Sequence, residues 1–272
     1  VLTGKTDPVS PHFPAYLAEL DGGGDGVRVG DIATWELPEA EIKDGLLHTN
    51  ACDDLAAAAA ALLAFASLTE TPEMTPPDVR LLFTRAEEIG FIGAIGACRD
   101  KTMPGDARVI ALENSRSFED SPIGGGPIVR VGDRMSIFSP GLTAAIAKRA
   151  EEISGGPAQP TAMQKAGERP WKWQRKLMAG GACEATVFCA YGYEATCLCL
   201  PLGNYHNMAD LAAVQAGKNT APARGGRGVI SLSDFDGLVD LLVACGQNLP
   251  QASSVRDRID KLWAERAFVL DR

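Results

Sequence analysis

The stretch VRLLFTRAEEIGFIGAIGAC, residues 79–98, changes character in its middle. Val79 to Thr84 is a β-type run that leads into Arg85-Ala86-Glu87-Glu88. Phe91 to Cys98, rich in small and apolar residues, follows as a predicted helix. A strand that delivers two adjacent carboxylates and is followed by a helix sets the pattern, and the pattern repeats outward along the chain. Upstream, Leu55 to Leu68 reads as a helix because alanine and leucine favour one and Thr71-Pro72 ends it. Downstream, Arg108 to Leu112 reads as a buried strand ending at Glu113, and Gly124-Gly125-Gly126-Pro127 as a turn before another strand. Leu142 to Ile153 is a predicted helix, Gly181 to Ala190 a helix or its start, and Ala195 to Leu200 a strand. Val229 to Leu232 and Phe235 to Cys245 make a strand and a helix, and Val255 to Arg266 a last helix. Strands alternating with helices predict a mainly parallel sheet covered on both faces. Nearer the start, Val1 to Gly4 is a short apolar strand. Residues 9 to 48 are loop-like, with a Gly-rich turn at Asp21 to Gly26 and short β-type runs at Val27 to Val29 and Ile32 to Glu36. No internal repeat is present.

A length of 272 residues suits one large domain, or one domain with a small insert, and 46% hydrophobic residues suffice for a sizeable core. With 26 Lys and Arg against 35 Asp and Glu, the formal net charge is -9. That balance argues against nucleic-acid and anionic-membrane partners, which need a basic face. No secretory signal is recognisable. The longest apolar run, Leu55 to Leu68, is mostly alanine and shorter than a bilayer span. The chain opens abruptly on an apolar strand, so further residues are expected before Val1. The seven cysteines, Cys52, Cys98, Cys183, Cys189, Cys197, Cys199 and Cys245, are odd in number and lack zinc-finger spacing. Most sit in apolar segments, where small buried thiols are ordinary. They predict a reducing cytoplasm and no disulfide framework.

Ligands of open sheets collect beyond the carboxyl ends of the strands. There the sequence places Lys5 and Asp7, the pair Glu87-Glu88, Glu113, and Asn204-Tyr205-His206, while Asp53-Asp54 stand just before a helix. Each has an ordinary structural explanation when taken alone: a helix cap for Asp53-Asp54, a solvated loop for Glu87-Glu88, a turn at Glu113, a hydrogen-bonded His206. Together, several carboxylates and one histidine converge on one edge of the sheet. Their mutual repulsion is costly without a cation, and a divalent metal with oxygen and imidazole ligands is the natural compensation.

These motifs resemble the co-catalytic metallo-aminopeptidases, the family of glutamyl, deblocking and tetrahedral aminopeptidases, some of whose members carry an endoglucanase name. Asn50-Ala51-Cys52-Asp53-Asp54 resembles the family's Asp-Asp motif. Thr84-Arg85-Ala86-Glu87-Glu88-Ile89-Gly90 with Gly93-Ala94 resembles its Glu-Glu motif. Ile110-Ala111-Leu112-Glu113 resembles the next ligand strand, where aspartate is more usual. Gly126-Pro127 with Gly132-Asp133 resembles the following Gly-Pro segment, and Pro201 to His206 the terminal histidine segment. The resemblance implies a three-layer α/β/α zinc-exopeptidase-like domain with a mostly parallel central sheet. It implies a bridging Asp53 joined to Asp54 by a cis peptide, with Glu88 and His206 completing a first metal site and Glu113 belonging to a second. Glu87 would be the general base that takes a proton from a metal-activated water. The implied cofactor is a divalent metal, zinc with cobalt and manganese as alternatives, as one or two ions.

The departures are specific. The family's His-x-Asp motif supplies an imidazole to the second metal, and its aspartate orients that ring. Here the positions read Lys5-Thr6-Asp7. Gly4-Lys5-Thr6 also looks like the tail of a phosphate-binding loop, but the required upstream glycine is off the chain and Pro8 and Pro11 disfavour the following helix. A protonated lysine has no lone pair, so Lys5 is expected as a positive charge near Asp53 and Glu113 in place of the second cation. His12 swinging in as a ligand is the alternative. Asp54, like Lys5 and Asp7, falls in the outer shell or at an altered ligand position. At most one well-occupied metal, on Asp53, Glu88 and His206, is expected. Gly180-Gly181 and Ala185 fall in a Gly-Gly-Thr-Asp-Ala-like stretch whose Thr-Asp is replaced by Ala182 to Glu184.

The expected organisation is residues 1–8 and 49–272 as the metallopeptidase-like domain, with 9–48 a short insert in place of the family's small β-domain. The expected function is an aminopeptidase-like exopeptidase acting on small peptides in the cytoplasm, as a homo-oligomer, with activity impaired by Lys5. A non-catalytic binding or assembly module, an amidohydrolase for acylated amino acids, and a glycoside hydrolase remain as alternatives.

Overall fold

The computed structural model describes residues 2–33, 38–70, 78–158, 170–250 and 255–270. The chain divides into two compact units, Val1–Glu36 and Leu37–Arg272.

The first unit contains an antiparallel hairpin of β1 (Leu2–Ser10) and β2 (Phe13–Ala18), with Ser10 opposite Phe13. β1 therefore runs well past Gly4, the expected strand end, because the Pro11-His12 turn folds Phe13-Pro14-Ala15-Tyr16-Leu17-Ala18 back along it. Lys5 stands mid-strand opposite Tyr16, and Lys5 and Asp7 are both exposed. Val27 to Val29 forms no strand. It follows a glycine-rich segment in which Gly22, Gly23 and Gly26 adopt positive φ. Part of the expected Ile32 to Glu36 run lies outside the described residues. Residues 2–8 share this unit with residues 9–33.

Among the described residues, the second unit holds two sheets. A small antiparallel one joins β3 (Glu41–Lys43), β4 (Leu46–Thr49) and β9 (Gly228–Ser231). The larger has the order β5 (Arg108–Arg116), β8 (Glu194–Leu202), β6 (Ile128–Asp133), β7 (Gln174–Met178). β5 and β8 are parallel, as are β6 and β7, while β6 and β8 run antiparallel. β7 has no counterpart among the expected strands, because Gln174-Arg175-Lys176-Leu177-Met178 carries little apolar signal. The helices are α1 (Cys52–Thr69), α2 (Ile92–Arg99), α3 (Pro140–Ser154), α4 (Glu184–Ala190), α5 (Leu211–Gln215), α6 (Leu232–Gln247) and α7 (Val255–Arg266).

β8 shows why the sheet is sandwiched. Its side chains alternate, and both faces are apolar. Leu198, Leu200 and Leu202 join a core with α1, α3 and α6. Ala195 packs with α2 and α4, and Cys197 and Cys199 with Ala185 and Phe138. α1 begins at Cys52, earlier than expected, which gives it 18 residues at a mean hydropathy of 1.5 and makes it long and apolar enough to cross a bilayer. Here it packs into the core through Ala57 and Ala60. A Cβ on Gly246 would meet Leu68 Cδ1 at 2.4 Å, so glycine permits the close approach of α6 to the end of α1.

Val79 to Thr84 lies outside any ladder, although its composition is that of a strand. Among the described residues no strand pairs with it, and none pairs with the outer edge of β5.

Candidate metal centre

The site gathers at the ends of these elements. Asp53 and Asp54 are joined by a cis peptide at the start of α1, and neither has helical dihedrals. Asn114, wholly buried on β5, donates through Nδ2 to Asp54 Oδ1 at 3.0 Å and also to the Cys52 carbonyl oxygen. His206 follows β8 in a short 3-10 turn, with φ of 54°. Its ring stacks on Tyr205, centroids 3.9 Å apart, and its Nε2 lies 3.7 Å from Asp53 Oδ2.

Glu87 and Glu88 occupy a loop clamped to the start of α2. Gly90 N and Phe91 N both donate to the Glu87 carbonyl oxygen, and Gly93 N donates to that of Arg85 at 2.9 Å. A Cβ on Gly93 would meet that same Arg85 oxygen at 2.4 Å, so only glycine allows this closure. Thr84 Oγ1 donates to Glu184 Oε1 at 2.6 Å and fixes the loop's other end to α4.

The electrostatics show carboxylates crowded without enough positive charge. Burial, then Glu88, push Asp53 up to about 6, with His206 and Arg130 acting the other way. Burial, then Asp53 and Glu87, push Asp54 up to about 8. Burial, then Glu88 and Glu184, push Glu87 up to about 7. Burial raises Glu113 well above the usual carboxylate range, opposed by Arg130. Arg130, from the middle of β6, sets Nη1 3.4 Å from Glu113 Oε2.

The structure thus brings Asp53 and His206 together. It couples Glu87, Glu88 and Glu113 to them through their charges. Lys5 and Asp7 belong to the other unit. Among the described residues, no three His, Cys, Asp or Glu side chains are close enough to hold an ion as they stand. The donor set nevertheless fits a divalent cation. Asp53 and Glu88 repel, Asp53 is partly desolvated, and the His206 imidazole lies against Asp53, which is an oxygen-and-nitrogen set short of a positive charge. Sequence reasoning missed Arg130 and Asn114. A charged residue inside the apolar run Ile128-Val129-Arg130-Val131 was the available signal for the first.

A cavity of about 390 Å³ opens beside Tyr205, lined also by Arg116, Ser117, Asn204, Asp210 and Leu211.

No protein of curated function matches the sequence. Solved structures do match the fold. Aminopeptidase APDkam598 from the archaeon Desulfurococcus kamchatkensis superposes with a TM-score of 0.60 at 20% identity, over 82% of this chain and 55% of its own. A TET aminopeptidase from a marine-sediment Thaumarchaeota archaeon gives 0.56 at 18% identity, over 76% and 51%. The dodecameric PhTET1-12s gives 0.54 at 21% identity, over 78% and 54%. The chain therefore spans about half the length of these relatives. The model of the M42 glutamyl aminopeptidase family matches residues 23–221, most of the 272, and the chain belongs to that family.

Proposed function

We propose that this chain contributes the metal-binding and proton-transfer residues of an aminopeptidase-like exopeptidase acting on small peptides. The observation that carries the reading is the placement of Asp53 against His206, at 3.7 Å, within the electrostatic reach of Glu87 and Glu88. Asp53, Glu88 and His206 would hold a divalent cation, zinc by the softness of the imidazole, with cobalt and manganese able to replace it. Such a cation, when bound, polarises a scissile carbonyl and lowers the pKa of water. Glu87 serves as the general base. Its carboxyl is tuned near neutrality, where a base can accept a water proton and return it to the leaving amine. Asn114 fixes Asp54, and so holds the turn that presents Asp53.

The seven cysteines, all free, suit a reducing cytoplasm. A homo-oligomer is supported by the dodecameric, tetrahedral and octahedral relatives and by exposed apolar residues such as Leu62, Leu63 and Trp263. The competing reading, a non-catalytic module of the same fold, is favoured by the ungathered ligand set. Metal content of the purified chain, followed by hydrolysis of aminoacyl anilides against acylated amino acids, separates these. Bound metal with anilide hydrolysis supports the exopeptidase. Acylated substrates alone would point to an amidohydrolase, and neither metal nor turnover to a binding module.

A further inference from the structure

We infer that Arg130 is a built-in positive charge committed to Glu113, so that the site takes a single divalent cation on the Asp53–Glu88–His206 side and Glu113 does not ligate it. This rests on the metallopeptidase reading above.

Arg130 is 4% exposed at the centre of β6. A guanidinium keeps its proton under all physiological conditions, so burial leaves it a permanent cation in need of a partner. Glu113 is the one carboxylate among the described residues within 4.0 Å of it, with Nη1 3.4 Å from Oε2. The pairing is fixed from behind. Arg130 Nη2 donates to Ser115 Oγ at 2.6 Å, and Ser115 Oγ in turn donates to Cys199 Sγ at 2.8 Å. Thr196 Oγ1 donates to the Arg130 carbonyl oxygen at 3.2 Å and holds the backbone of β6.

The sheet explains why these groups meet. β8 lies between β5 and β6, with Cys199 in register with Glu113 and Cys197 with Arg130. Small thiol side chains on the intervening strand leave room for the arginine to reach across it. A metal on Glu113 would sit roughly 2 Å from a carboxylate oxygen, the usual ligand distance. It would then share that carboxylate with the guanidinium, in a pocket where burial weakens solvent screening of the repulsion. The imidazole that reaches this cluster, His206, lies against Asp53. Among the described residues, one imidazole thus lies against Asp53, while Glu113 is already paired with Arg130.

The test is ion stoichiometry, read without turnover. The purified full chain is titrated with Zn²⁺ by calorimetry, and its metal content is measured after desalting. Cobalt substitution gives a visible spectrum that reports the ligands. The expected result is one ion per natural chain. Arg130→Met, which keeps the length and removes the charge, binds a second ion, and Arg130→Lys stays at one. Glu113→Gln in the natural background changes the affinity of the single ion less than threefold and leaves the cobalt spectrum unchanged. Two ions in the natural chain overturn the inference, as does a folded Arg130→Met protein that still binds one. A tenfold or greater loss of affinity in Glu113→Gln overturns it also, and this arm decides if Arg130→Met fails to fold. No ion bound at micromolar concentration by the natural chain sinks the metallopeptidase reading itself, and this inference with it.

Discussion

Glu87 is the residue on which turnover is expected to hang, because its carboxyl sits near neutrality and is coupled to Asp53 through space. Glu87→Gln keeps the shape and removes the proton acceptor. The expected result is unchanged Zn²⁺ affinity with kcat reduced by about 10²–10⁴-fold, the usual contribution of a general base. Steady-state anilide hydrolysis beside calorimetry checks both halves. A structural counterpart is Asp234, buried at the start of α6, which accepts from Gly124 N and Gly126 N at 2.7 Å each. Asp234→Ala strands two amide donors, and chemical denaturation should show a loss of at least about 2 kcal/mol. At this scale the sequence marked Asp53, Asp54, Glu87, Glu88 and His206 by residue type and spacing, and of these the structure sets Asp53 Oδ2 3.7 Å from His206 Nε2. The sequence was illegible at Arg130, whose importance comes from reaching across β8 to Glu113, a relation between strands that no local pattern records.

Elements were legible where their burial is complete. β8 reads as a strand because both of its faces are apolar, and α3 reads as a helix over Leu142 to Ile153, short of its observed start at Pro140, before which Ser139 Oγ accepts from Leu142 N at 3.3 Å. β7 and the β1–β2 hairpin were missed because charged or proline-containing strands owe their pairing to a partner rather than to their own pattern. α1 depends on small side chains: Ala57 and Ala60 are fully buried in the core it shares with α6. Enlarging one of them has nowhere to go. Ala60→Leu is expected to lower stability by about 1–3 kcal/mol, and Ala60→Gly to cost about 1 kcal/mol through helix propensity alone. Guanidinium denaturation of the two variants separates overpacking from propensity, since a larger loss in the glycine variant would contradict the close-packed interface.

For the molecule as a whole, the crowded carboxylates set how stability responds to pH in the metal-free state. Asp53, Asp54 and Glu87 have folded-state values near 6, 8 and 7, each above its ordinary value. The folded chain therefore holds protons that the unfolded chain releases, and stability falls as pH rises. Their contribution is fully present below about pH 4 and is lost progressively as pH rises from there through the folded values, to about pH 8. In chelator, Tm should drop across that upper window, and saturating Zn²⁺ should restore it most at pH 8. A Tm in chelator that climbs from pH 6 to pH 8 would contradict the crowding. The open outer edge of β5 has a different consequence, one of concentration. Val109 to Leu112 carry no charge and no proline, and among the described residues no strand pairs with their outward-facing amides and carbonyls, which leaves a template for another extended chain. Two copies meeting there can seed a growing ladder, so the lag before thioflavin fluorescence should shorten as the protein is concentrated. The strand that leads Glu113 to its place is thus also where storage and refolding of this chain need the most dilution.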